Sequence, residues 1–431
     1  MNQLRSLWHA AHRRPLVKNA VCLLAGQGVG LVLQAIYFIL LARLLGTLEY
    51  GIFIGAFAFT NIIAQYSSLG TGMVLMRYVS GNSEAFPRFW GNVLCVTLCS
   101  GTLLAIALRF TASRLLNPSS ATLVGVVAIA NCVCAQMVAE AGRICRAFER
   151  MRITACLNLL TSLLRAGAVV IMLVCLHKAN AWQWAVMSTL ACVVGSVVAV
   201  VVVIRQFGWP RFDPGALREH ALEGLGYSFA QSTTSLYNDV DKTMLSSYGL
   251  NFAISIYTVA YRLIDIATIP ITSLHDAALP KMFQLGREGI GKAKALGLRL
   301  VAKLIPVSVF IAVVLFMTAP LIPRFLGQEF AESVLALRWL CLIPLFRSIH
   351  NITGAALTGA GLQRYRTAAQ VMAAAFNFAV NLYLIPRFGW LGAAWSSLVT
   401  DGGLGIMNWV VLLVLERRHR EFPARCEGVA A

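Results

Sequence analysis

The stretch GYSFAQSTTSLYNDVDKTMLSS, residues 226–247, lies midway along a chain built almost end to end from apolar segments, and it alone is not properly apolar. Asp239, Asp241 and Lys242 fall where a bilayer would bury them. An ionisable side chain near mid-bilayer costs roughly 2.5–3.5 kcal/mol on insertion scales, so such residues face a protein interior or a watery cavity. At about 100° per residue, Ser228, Gln231, Ser235, Asp239, Lys242 and Ser246 fall within an arc of roughly 80°, a single polar stripe along one helix. The stripe reads as cavity wall. The rival reading is an interhelical seam in which Asp239 and Lys242, at i,i+3, neutralise each other.

Working outward, composition sets the class. Hydrophobic residues make up 58% of the 431 residues and charged residues 13%, against about 25% charged in a soluble domain. Mean hydropathy is +0.72. A spanning helix needs about 20 apolar residues, and the pattern predicts an all-α integral membrane protein with twelve spans. These fall near 19–42, 50–72, 89–111, 121–141, 155–176, 182–204, 223–247, 251–274, 300–321, 334–359, 367–386 and 391–415. The chain then divides into a basic leader (1–18), a first six-helix lobe (19–206), a linker (207–220), a second six-helix lobe (221–415) and a tail (416–431). The leader carries Arg5, Arg13, Arg14 and Lys18, but the span after it is longer than a signal-peptide core and lacks a cleavage site. It reads as a retained anchor.

The net charge of +18 raises the question of nucleic acid, and its distribution answers it. With basic residues at span edges counted in the adjoining loop, odd-numbered tails and loops hold 25 Lys+Arg and even-numbered ones 7. That asymmetry places both termini in the cytoplasm. The cluster Arg143, Arg146, Arg150 and Arg152 reads as a topology signal that meets anionic lipid, so membrane lipids are the expected partner and nucleic acid is not. Ten of eleven cysteines fall in or beside spans and read as packing residues, with Cys426 in the tail. Cys132-Val-Cys134 lacks paired zinc-knuckle spacing. Gly286-Arg-Glu-Gly-Ile-Gly291-Lys292-Ala293 imitates a phosphate-binding loop but has Ala where Ser or Thr must hold Mg²⁺. Asn351-Ile-Thr353 lies inside a span, and neither an HExxH pair nor a GxSxG elbow occurs. No metal, cofactor or catalytic group is expected, which favours a transporter over an enzyme.

Six spans per half is an even number, so two repeats would run parallel about an axis along the membrane normal. Glu149-Arg-Met-Arg-Ile-Thr after span four is echoed by Gln363-Arg-Tyr-Arg-Thr-Ala after span ten. Basic cytoplasmic loops alone would also produce Arg-x-Arg twice.

Several short sequences in this order resemble one family. They are Ala42-Arg-Leu-Leu-Gly-Thr-Leu-Glu-Tyr-Gly-Ile-Phe53, Ser68-Leu-Gly-Thr-Gly72 with Arg77-Tyr, Asp241-Lys242-Thr-Met-Leu with Ile256-Tyr-Thr-Val-Ala-Tyr-Arg262, and Leu357-Thr-Gly-Ala-Gly361 with Asn377, Asn381 and Ile385-Pro386-Arg-Phe-Gly-Trp-Leu-Gly-Ala-Ala394. The chain is similar to the polysaccharide transporters of the multidrug/oligosaccharidyl-lipid/polysaccharide (MOP) exporter superfamily, which include O-antigen flippases. The resemblance implies two six-helix lobes around a central cavity and alternating access. It also implies a cargo, an undecaprenyl diphosphate-linked oligosaccharide flipped across the bacterial cytoplasmic (inner) membrane for O-antigen, capsule or exopolysaccharide synthesis, with other polysaccharide assembly proteins as partners.

That cargo needs a polar, cationic path. Lys242, Arg262, Arg165 and Arg347 lie inside spans and are the candidates for diphosphate contact, with Arg77 just after span two. Each has a structural alternative: Arg262 can pair with Asp265, Arg165 and Arg347 can snorkel, and Arg77 can merely set topology. Asp239, Asp241 and Asp265 are candidates to bind and release Na⁺ or a proton, coupling a gradient to transport. Gly26 and Gly30, and Gly51 and Gly55, are GxxxG steps that permit close helix approach. Pro270, Pro306 and Pro344 are potential kinks. A MATE-type drug exporter would share the fold but should have an acidic or aromatic cavity. The lipid II flippase branch has two further spans, a major facilitator has a Gly-Asp-Arg-type signature that is missing from residues 77–88, and a polymerase or glycosyltransferase needs a large external catalytic loop.

Overall fold

The computed structural model describes the backbone of residues 2–80, 83–176 and 178–421, with side chains from residue 30 onward except 31, 276, 277, 280, 287 and 418–421. Arg5, Arg13, Arg14, Lys18 and Cys426 lie outside the described side chains. Regular structure among the described residues is entirely helical. In order, the helices are α1 (Asn2–Ala64), α2 (Thr71–Val79), α3 (Phe86–Leu115), α4 (Pro118–Ala128), α5 (Gln136–Ala147), α6 (Met151–Leu176), α7 (Ala181–Phe207), α8 (Pro214–Glu219) and α9 (Ala221–Ser247). They continue with α10 (Asn251–Ala267), α11 (Ile269–Arg287), α12 (Ile290–Thr318), α13 (Ile322–Leu326), α14 (Ser333–Leu340), α15 (Ile343–Gly359), α16 (Gln363–Phe388) and α17 (Trp390–Glu421). The chain forms two compact units, Met1–Ser232 and Thr233–Ala431, and the division falls inside α9.

Nine helices among the described residues are long and apolar enough to cross a membrane, or ten if α10 and the start of α11, bent by 49°, form one span. Among the described residues the first two expected spans contribute one such stretch, Val32–Ala64. Gly46, with φ of 70° readily adopted by glycine, kinks α1 in the connection expected between them. Span seven, α9, is too polar to qualify, as its sequence foretold. The protein is nonetheless a multi-pass membrane protein.

In the first unit, Phe86, Trp90, Leu75, Val79, Ile144, Leu157, Ala199 and Val203 form one buried core that ties α2, α3, α5, α6 and α7 together. Lipid is as apolar as these side chains, so close packing and interhelical hydrogen bonds hold such bundles. Asn131 supplies one such bond, donating to Thr60 Oγ1 at 2.8 Å. It sits in a π-helical segment, Ile129–Ala135, inserted between α4 and α5. One extra residue per turn there rotates α5 relative to α4, and such bulges are frequent at functional sites. The linker is clamped to this unit: the Asn92 amide donates to Asp213 O and accepts from Asp213 N, both at 2.9 Å, while Asp213 caps α8. At the start of α2, Gly70 has φ of +70°, and a Cβ there would lie 1.9 Å from Gly224 O, so the turn and α9 meet backbone to backbone.

In the second unit, Met282, Leu304, Ile352, Ala355, Ala356 and Leu412 form the core joining α11, α12, α15 and α17. A Cβ on Gly286 would lie 2.1 Å from Gly359 O, which explains glycine at the end of α11 better than any phosphate loop does. Asn377, Asn381, Ser396 and Thr400 hydrogen-bond along the α16–α17 seam, with Ser396 Oγ donating to Asn381 Oδ1 at 2.6 Å. Of the three prolines expected to kink helices, only Pro306 lies within one. Pro344 occupies a first turn, where a missing N–H costs little, and Pro270 opens α11 at the 49° bend that breaks the expected eighth span. Both Arg-x-Arg echoes fall at the start of a spanning helix, α6 and α16.

Candidate functional site

The polar stripe of α9 serves two environments, one in each unit. In the first unit, Ser228 and Gln231 line a cleft with Gln65, Ser68, Gly70, Met73, Gln136, Arg143 and Tyr227, about 220 Å³ including space open to solvent. The π segment precedes the α5 contribution, in which Gln136, Glu140 and Arg143 recur at helical spacing. Glu140 is fully buried and accepts from Arg143 Nη1 at 2.5 Å through one carboxylate oxygen, while its other oxygen has no partner among the described residues. A Cβ at position 72 would collide with that carboxylate, so Gly72 of the Ser68–Gly72 motif makes room for Glu140.

Two predicted cations lie elsewhere in this unit. Arg77 is exposed at the end of α2 and donates to Glu223 Oε1 at 2.6 Å, tying α2 to the first turn of α9. That hydrogen bond and the carboxylate charge hold its guanidinium above its ordinary pKa. Arg165, midway along α6, is partly buried in a cleft with Cys134, Ala135, Val138, Thr161, Ala191 and Cys192. Its Nη2 reaches Cys192 Sγ at 3.8 Å, and no carboxylate among the described residues lies within ion-pair distance.

The second unit gathers the remaining candidates. Lys242 Nζ donates to Asp239 Oδ1 at 2.7 Å and to Asn238 O at 2.6 Å, and stands 5.8 Å from the Tyr261 ring centre. Arg347 Nη1 pairs with Asp265 at 2.7 Å and stands 5.5 Å from the same ring. The Asp265 carboxylate is thus taken by Arg347, while Arg262 is half-buried on α10. Asp241 is buried, accepting from the Tyr257 hydroxyl and from Lys242 N at 2.8 Å, and Tyr257 also meets Ser397 Oγ at 2.8 Å. Ser235 is half-buried and Ser246 fully buried.

Sequence reasoning missed the acid opposite Asp241. Asp401 of α17 is buried, accepts from the Tyr237 hydroxyl and lies 3.6 Å from His350 Nε2. Among the described residues, neither Asp241 nor Asp401 has a Lys or Arg side chain within ion-pair distance. Asp401 and Glu140 both sit inside predicted spans, and that was the signal available. No group of three or more His, Cys, Asp or Glu among the described residues could hold a metal ion.

A profile for polysaccharide biosynthesis proteins matches residues 16–286, more than half of the chain. The chain belongs to the polysaccharide biosynthesis protein family. The matched part runs from α1 through α11 and so includes the first-unit cleft, Arg165 and all of α9. No curated protein sequence matches this family member. Solved structures do. An inward-facing multidrug resistance MATE family transporter of the MOP superfamily aligns with TM-score 0.73 at 16% identity, covering 91% of this chain and 96% of that one. The lipid II flippase MurJ in an inward closed conformation aligns with TM-score 0.72 at 14% identity, covering 92% and 87%. A MOP superfamily transporter from Pyrococcus furiosus, described by a binding pocket of reverse polarity, aligns with TM-score 0.62 at 16% identity, covering 93% and 96%. These likenesses establish a MATE- and MurJ-like fold for this polysaccharide biosynthesis protein.

Proposed function

We propose that the protein translocates undecaprenyl diphosphate-linked oligosaccharide repeat units across the bacterial cytoplasmic membrane by alternating access, supplying O-antigen, capsule or exopolysaccharide synthesis. It acts as a carrier, not an enzyme, with both termini cytoplasmic. Arg165 carries the reading. A guanidinium held halfway along a spanning helix, with thiols and a hydroxyl for company and no carboxylate within reach, leaves positive charge that an anionic cargo can satisfy. Arg also grips phosphate oxygens bidentately where the dielectric is low. Family membership supplies the polysaccharide, and fold supplies the carrier. Lys242, Arg347 and Arg77 already hold acids and serve the scaffold first.

Coupling to a Na⁺ or proton gradient follows from Asp241 and Asp401. A buried carboxylate that takes hydrogen bonds from tyrosine rather than charge from a base is suited to bind a cation in one conformation and release it in another. Asp239 and Asp265, each paired with a base, are weaker candidates. Membrane lipids and other polysaccharide assembly proteins are the expected partners.

Deleting the gene and extracting lipids tests this. Accumulation of lipid-linked repeat units on the cytoplasmic face, restored by the wild-type gene but not by Arg165→Gln, is the expected result. Unaltered glycolipid with altered drug tolerance would replace the reading with MATE-type export.

A further inference from the structure

The linker roofs an apolar recess in the first unit. Helix α2, the start of α3, α8 and the first turns of α9 enclose about 700 Å³, including space open at the mouth, within the roughly 300–1,000 Å³ usual for ligand sites. Leu69, Val74, Phe89, Val96, Leu217 and Leu225 form its wall. The polar side chains that reach it are engaged elsewhere. The Thr71 hydroxyl donates to Ser68 O at 2.7 Å, the Asn92 amide is held by the Asp213 backbone, and the His220 ring lies on Tyr78, 4.4 Å between centres. A water needs about two to four polar partners to settle in a cavity, and these walls offer few.

Backbone contacts keep the recess open. Arg211 N donates to Pro87 O at 2.8 Å, and a Cβ on Gly91 would lie 2.2 Å from the Arg211 carbonyl, so the linker main chain is pressed onto α3. A Cβ on Gly224 would lie 2.4 Å from Leu69 O, which fixes the start of α9 beside the turn into α2. With roof and side held this way, the lining forfeits dispersion contacts until something apolar fills the space. The surroundings of the mouth identify what does. Trp209 is 77% exposed and Leu222 85%, and Phe212 and Leu225 are exposed as well. Among them stand exposed Arg205, Arg211 and Arg218, against Glu219 and an Asp213 engaged in capping α8. Aromatic and leucine side chains interleaved with arginine mark a segment that lies in the interface of an anionic bilayer.

We infer that this recess is a lipid site: it takes an acyl chain of a membrane phospholipid whose anionic head group lies among the linker arginines, and so ties the linker to the bilayer surface. Phospholipid is the bulk solvent of that interface, so by mass action it outcompetes a scarce carrier lipid for a site without polar selectivity. The site is independent of the cargo.

Photolabelling of the full-length protein in nanodiscs, with a phosphatidylglycerol carrying a diazirine near the end of one acyl chain, tests it. Adducts should concentrate on residues 69–74, 89–96 and 216–225, at least fivefold above those on exposed Val170, Ile171 and Val174 of α6. Ala216→Trp and Ala221→Trp place an indole in the recess from α8 and from α9. Neither position is buried, so both variants should fold, and each should cut recess labelling at least fivefold while leaving α6 labelling unchanged. Recess labelling no higher than that of α6, or unaltered in both variants, would overturn the site. Equal labelling by a diazirine phosphatidylcholine would overturn the role of the arginines. Loss of labelling on adding decaprenyl phosphate at a tenth of the phospholipid concentration would overturn the phospholipid assignment and give the recess to a polyprenyl tail.

Discussion

Removing Lys242 asks whether its ammonium belongs to the scaffold or to the cargo. In Lys242→Met, Asp239, 9% exposed, loses the ammonium 2.7 Å from its Oδ1. Breaking a buried ion pair by deleting one partner costs about 3–5 kcal/mol, whereas removing both charges is often near neutral. Both side chains keep slight exposure, 14% and 13%, so the lower end applies: about 3 kcal/mol for Lys242→Met. Asp239→Asn strands the ammonium, though Asn238 O and the Tyr261 ring still hold it, and should lose slightly less. The double variant should recover at least about 2 kcal/mol relative to the sum of the single losses. Unfolding of the four proteins in one detergent, followed by tryptophan fluorescence, measures this coupling. The double variant should also transport, since the Lys242 ammonium is held by Asp239. Additive losses would refute the pairing; a double variant that folds as well as the wild type yet fails to transport would return Lys242 to the cargo path.

Further substitutions probe separate parts of the account. Arg165→Gln should fold, because no acid depends on it, and should lose transport by tenfold or more, with Arg165→Lys retaining part of it in the same vesicle assay. Asp241→Asn and Asp401→Asn should each abolish the response of transport to an imposed Na⁺ or proton gradient, while Asp265→Asn should leave that response and lower stability. Gly286→Val should destabilise by about 1–3 kcal/mol or more through overpacking, since its Cβ would press on the backbone carbonyl of Gly359 at 2.1 Å; unfolding in detergent reads this directly.

Helical membrane class was legible because hydropathy over 20 residues is a strong signal that no tertiary contact reverses. The break at Gly46 was legible too, falling in the connection expected between the first two spans, although its form, one glycine dihedral, was not. The stripe on α9 and the i,i+3 pairing of Asp239 with Lys242 were readable by spacing, yet spacing could not reveal that Ser228 and Gln231 line a cleft of one unit while the pair lies in the other. Arg143 read as a topology signal because it stands in a basic run. What the structure adds is its pair with buried Glu140, whose carboxylate fits only because Gly72 leaves it space. Asp401 was visible as a carboxylate in a span. Its partners Tyr237 and His350 lie far off in sequence, so pairing with them is a purely tertiary fact.

The central claim is that this protein carries an anionic lipid-linked sugar across a bilayer. The most direct measurement reconstitutes the purified chain into liposomes holding a fluorescent polyprenyl diphosphate oligosaccharide and follows its loss of protection from an external quencher or glycosidase. The account predicts protein-dependent translocation that Arg165→Gln abolishes and that a neutral polyprenyl glycoside does not show. Equal movement of the neutral and diphosphate lipids, or none of either while amphipathic cations cross, would contradict it.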